Sequence, residues 1–107
     1  MIAVIFEVRI RKGRESSYFD HAARLARLLT GIDGFISVER FASLAEEGKY
    51  LSLSFWRDEQ SVDNWRGLAE HRAAQSAGRS ALFEDYSITV AGVSRRYGLR
   101  DRAEAPA

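Results

Sequence analysis

The fold turns on one stretch, Lys49-Tyr50-Leu51-Ser52-Leu53-Ser54-Phe55-Trp56-Arg57-Asp58-Glu59. Leu51, Leu53 and Phe55 alternate with Tyr50, Ser52, Ser54 and Trp56, which is the period of a strand. Asp58 then offers a side-chain oxygen to the orphan amides of a helix start, and Glu59 suits the positive end of the helix dipole. Val62, Trp65, Ala69 and Ala73 follow at helical spacing to about Gln75, and Gly78 breaks the pattern. A strand therefore runs straight into a helix. At about 100° per residue, Asn64, Leu68, His71 and Gln75 share a flank about 120° from the centre of that helix's core stripe.

Upstream, Glu46-Glu47-Gly48 reads as a hairpin loop, and Phe35 to Phe41 as the strand before it, opened by Gly34. Earlier still, Tyr18, Ala22, Leu25 and Leu29 recur at steps of three and four, so a helix is expected from Glu15 to the Thr30-Gly31 stop. The chain begins with a strand in which Ile2, Val4, Phe6, Val8 and Ile10 form one apolar face, ended by Gly13. Downstream, Ser80 to Phe83 suggests a short extra turn, and Tyr86, Ile88 and Val90 a last strand to about Arg96. The order strand, helix, strand, strand, helix, strand is the ferredoxin-like βαββαβ arrangement of an α+β domain. Both helices should cover one face of a four-stranded antiparallel sheet. The third strand is expected to turn Tyr50 and Trp56 to the other face. Nothing in one such chain covers that face, so a homodimer packed sheet to sheet is expected, with Trp56 at its interface.

The 107 residues suit one domain, placed at residues 1–98, with a polar tail at 99–107 expected to be disordered. Apolar residues at 46% and charged residues at 29% are a globular mixture. The absence of cysteine excludes a disulfide scaffold, a thiolate metal site and a cysteine nucleophile. Sixteen basic against fifteen acidic residues give a net charge of +1, which provides no general field for nucleic acid or a membrane surface. Glu7, Arg9 and Arg11 interrupt the apolar start too soon for a signal peptide, and no run approaches a membrane span. The expected location is the cytoplasm. No metal-ligand spacing appears, and Asp20, Glu39 and Glu70 make no recognisable carboxylate pair.

The segments Leu53-Ser54-Phe55-Trp56, Ser61-Val62, Trp65, Glu70-His71 and Tyr86 to Tyr97-Gly98 resemble the antibiotic biosynthesis monooxygenase domain family, dimeric proteins of the α+β barrel type. The resemblance covers Ile2 to Gly98. It implies a ligand pocket between the sheet and the two helices of each subunit. One branch of that family degrades haem. Its members share two tryptophans nine residues apart, here Trp56 and Trp65, but place an iron-ligating histidine where this chain has Gln75. They also place an asparagine where this chain has Phe6 or Glu7. A glutamine amide is a poor iron ligand, so haem degradation is disfavoured.

The oxygenases of aromatic polyketides fit better. They carry a tryptophan on the second helix with a polar aromatic residue about six positions later, here Trp65 and His71. The resemblance implies oxygenation without a cofactor: a base deprotonates an electron-rich phenol- or quinol-like substrate, and the resulting carbanion reacts with dioxygen in a dry cavity. His71 is the expected base, since imidazole titrates near neutrality. The expected substrate-binding residues are Phe6, Tyr18, Asn64, Trp65, Leu68 and Arg79. His21, beside Asp20 on the first helix, reads as a surface residue. The alternative reading is a non-catalytic dimeric protein of the same fold that binds a small apolar molecule. An RNA-recognition domain has the same element order, but the third strand lacks its basic glycine-aromatic motif, so RNA binding is disfavoured.

Overall fold

The computed structural model describes residues 1–75 and 82–106, with side chains described for 1–68 and 82–106. The elements follow the expected order: β1 (Ile2–Ile10), α1 (Glu15–Leu29), β2 (Phe35–Ala42), β3 (Lys49–Trp56), α2 (Glu59–Gln75) and β4 (Phe83–Gly92). The four strands form one antiparallel sheet in the order β2-β3-β1-β4. This is the ferredoxin-like α+β fold. No helix among the described residues is long and apolar enough to cross a membrane.

The last strand differs from expectation at both ends. It starts at Phe83, which pairs with Ile10 across an irregularity in register, and stops at Gly92 opposite Ile2. Beyond that point Val93 N–H donates to the Met1 carbonyl (3.0 Å). Gly78 and the start of the turn expected at Ser80 to Phe83 lie outside the described residues. After β4, Gly98 N–H donates to the Asp101 carbonyl (2.7 Å). Arg96 lies 4.0 Å from the ring centre of Phe55.

The third strand presents the opposite face to the one expected. Tyr50, Ser52, Ser54 and Trp56 point toward the helices, and Leu51, Leu53 and Phe55 lie on the face the helices leave open. Trp56 is fully buried, packed with Val4, Leu29 and Val62, and Trp65 rests on it at 5.6 Å between ring centres. It is a core residue and not the interface residue the sequence suggests. The reason is physical. The open face is itself apolar, with Ala3 and Ile5 of β1 beside Leu51, Leu53 and Phe55. Meanwhile the helix side carries serines because part of it is cavity floor rather than packed core.

Asp58 caps α2 as expected. Its Oδ1 accepts from Ser61 N–H (2.9 Å) and Ser61 Oγ–H (2.7 Å). Those two bonds, with Arg57 beside them, hold the Asp58 carboxyl down at about 2. Arg57 also forks onto Asp33 (2.9 and 3.1 Å), and its amide donates to the Gly34 carbonyl (2.8 Å). The start of β2 is thus tied to the start of α2. Gly34 sits at φ +89°, and a Cβ there would collide with the side chain of buried Ser61. Gly34→Ala is expected to destabilise the fold by about 2–3 kcal/mol, combining a disfavoured backbone with overpacking. Urea unfolding checks this, and an unchanged midpoint would contradict it.

Candidate functional site

A cavity of about 170 Å³ lies between the sheet and the helices. An apolar cavity of about 150 Å³ already holds a benzene-sized molecule. Register builds its floor. Arg40, Ser52, Phe6 and Ile88 form one row across β2, β3, β1 and β4, and Val38, Ser54 and Val4 form part of the next. Each row takes alternate residues of its strands, so all of these side chains rise from one sheet face. The roof is α1, whose Tyr18, His21, Ala22, Leu25, Ala26 and Leu29 recur at three- and four-residue steps. From α2, Trp65 and Arg66 close one side.

The walls are aromatic and the polar groups few. Trp56 stands against Trp65, and its indole N–H donates to Ser54 Oγ (2.9 Å), which satisfies both groups in a dry setting. Near Tyr18, Phe83 meets both Tyr18 (5.9 Å) and Phe6 (6.1 Å) edge to face. The Tyr18 hydroxyl is pushed above its ordinary range by burial, with Arg40 opposing the shift and Tyr50 adding to it. It therefore stays protonated at neutral pH and can donate a hydrogen bond. The charged or titratable groups added by the other described lining residues are His21, Arg40 and Arg66, with no carboxylate among those residues. A neutral imidazole can take a proton, and a guanidinium can hold an oxyanion.

Of the residues expected to bind substrate, Phe6, Tyr18 and Trp65 line this cavity together. Asn64 and Leu68 do not. Asn64 is exposed and accepts from the Gln60 amide (3.0 Å), and Leu68 is half exposed. Both follow from the flank position of their stripe on α2. His71 is in α2, but its side chain lies outside the described residues, as does Arg79 altogether. His21, Arg40 and Arg66 were not among the residues expected at the site, and Trp56 was placed elsewhere. His21, expected at the surface, is half-buried in the lining. The signal was present, since His21 falls three residues after Tyr18 on the apolar stripe of α1. Arg40 was also legible as a charge in phase with Val38.

Known proteins resemble this chain in both sequence and fold. Residues 1–77 match the model of a family described as antibiotic biosynthesis monooxygenase. A protein of Pyricularia oryzae named jasmonate monooxygenase ABM is 46% identical over 94 residues, covering 88% of this chain. The chain spans only 44% of that relative's length. Among solved structures, the cofactor-independent oxygenase SnoaB of Streptomyces nogalater, solved as a point mutant, superposes with a TM-score of 0.72. The match covers 89% of this chain and 94% of SnoaB at 13% identity. The haem-degrader MhuD of Mycobacterium tuberculosis superposes as well, with a TM-score of 0.74 at 15% identity over 92% of this chain and all of its own. At such identities the likeness is one of fold.

Proposed function

The chain belongs to the antibiotic biosynthesis monooxygenase family, and we propose that it oxygenates a small apolar molecule in this cavity without a bound cofactor. The observation that carries this reading is the lining itself: aromatic walls enclosing one imidazole and two guanidiniums. His21 takes a proton from an activated CH₂ group of the substrate. Arg66 stabilises the enolate oxygen that results, and the apolar walls keep water from reprotonating the carbanion. The carbanion passes an electron to dioxygen, and the two radicals combine to a hydroperoxide. Loss of water leaves a carbonyl, so CH₂ and O₂ become C=O and H₂O with electrons balanced. The working substrate class is a phenol-, anthrone- or quinol-like compound. Jasmonate, for which the fungal relative is named, is a second compound to assay.

The test is oxygen uptake by chelator-treated protein with an anthrone. Stoichiometric uptake with carbonyl product is expected. No uptake above the protein-free rate with any of these compounds would overturn the reading in favour of a binding protein.

The open sheet face supports a second part of the proposal, a homodimer packed face to face. Leu51, Leu53 and Phe55 are only half-buried, and Phe41 beside them is exposed. Light scattering in solution is expected to give twice the 12.1 kDa chain mass. A species of single-chain mass at micromolar concentration would contradict it.

A further inference from the structure

The oxygenation chemistry calls for one cation at the developing enolate, yet the cavity lining holds two, on different elements. Arg66 comes from α2 and Arg40 from β2. Arg9 and Lys49 pair with Glu46, Lys49 also with Glu7, and Arg57 with Asp33 and Asp58. Among the described residues no carboxylate pairs with Arg40 or Arg66. Arg40 is also held in place by register. It stands directly across from Ser52, which shares the cavity lining with it and with Tyr18.

We propose that Arg40 is a specificity determinant that anchors a carboxylate carried by the substrate, with the Tyr18 hydroxyl as a second donor. The substrate class is then an apolar ring compound with one acidic group, its ring against Trp56 and Trp65. The planar fork of a guanidinium matches a carboxylate in two parallel hydrogen bonds, which a phenol oxygen cannot accept in the same way. Among the described lining residues Arg66 is the other guanidinium, and it stands on a different element from Arg40. This inference rests on the cavity being the substrate site, as proposed above.

Binding can be read without turnover, because both tryptophans of the chain line the cavity. Under nitrogen, 4-phenylbutyrate and its neutral amide, 4-phenylbutyramide, are titrated against tryptophan fluorescence. The carboxylate is expected to bind about tenfold tighter than the amide, the gain of one charge-assisted contact. Arg40→Gln, a change at an exposed strand residue, should remove that preference and bring the two compounds to equal affinity. Tyr18→Phe should weaken carboxylate binding about threefold, as loss of one neutral donor would. Equal affinities in the unaltered protein, a preference that survives Arg40→Gln, one abolished instead by Arg66→Gln, or no saturable response to either compound would each overturn the proposal. Anchoring without oxygen uptake from any acidic substrate would remove the oxygenase reading alone. Uptake with no carboxylate preference would remove the anchor alone.

Discussion

Replacing His21 with alanine is expected to lower oxygen uptake by about a hundredfold or more, the usual contribution of a positioned general base. The position of the residue decides this. His21 is carried on the cavity stripe of α1, between Tyr18 and Ala22, and its imidazole belongs to the lining. Among the described lining residues it is the one imidazole, the side-chain type most used as a general base. A guanidinium offers donors and no acceptor, and the Tyr18 hydroxyl is held protonated by burial. Ligand affinity should change little in His21→Ala, since the walls and both guanidiniums remain, so the loss should appear in kcat and not in KM. His71→Ala, at the base expected from the sequence, is the paired variant: a loss there with uptake kept in His21→Ala is the outcome that overturns the assignment to His21. That pattern would move the base to the second helix.

Trp56→Ala is expected to destabilise the chain by about 3–5 kcal/mol, the range for deleting a buried aromatic side chain. Trp56 is completely enclosed and touches Phe35 edge to face at 5.4 Å, with Trp65 on its other side. Its removal would also merge new empty volume with the existing cavity and strip Ser54 Oγ of its indole donor. At about 4–8 °C per kcal/mol for a domain of this size, Tm should fall by about 12 °C or more. The result separates two placements of this residue. An interface tryptophan would lose the dimer and spare the unfolding free energy of the chain, whereas a core tryptophan loses that free energy directly. Trp56→Phe should recover part of the loss, because it refills most of the volume without restoring the N–H donor.

The element order was readable because each segment shows a clean period. The period of two over β3 and the Asp58 cap that follows fix a strand running into a helix, and the structure has both. The facing of β3 was not readable, because period two says which residues share a face and not which face is covered. Both faces carry large apolar side chains, and counting them favours Leu51, Leu53 and Phe55 over a set diluted by Ser52 and Ser54. Those serines belong to a cavity floor, so the rule that the more apolar face goes inward fails where a site interrupts the core. The aromatic part of the site, Phe6, Tyr18 and Trp65, lay on the apolar stripes and was visible there. Its polar part was overlooked for the converse reason. His21 read as a surface residue by type and Arg40 was passed over, although His21 keeps the phase of the α1 stripe and Arg40 that of Val38. Where a charge keeps phase with a buried face, phase is the better guide than residue type.

The oxygenase reading of the cavity depends on this chain placing oxygen in a substrate with its own side chains alone. Turnover of an anthrone under ¹⁸O₂, with chelator-treated protein and no added cofactor, measures that step itself. One labelled oxygen atom is expected in the carbonyl product and the other in water. A product with unlabelled oxygen, or label incorporated only after a metal, flavin or haem is added, would contradict the proposed chemistry.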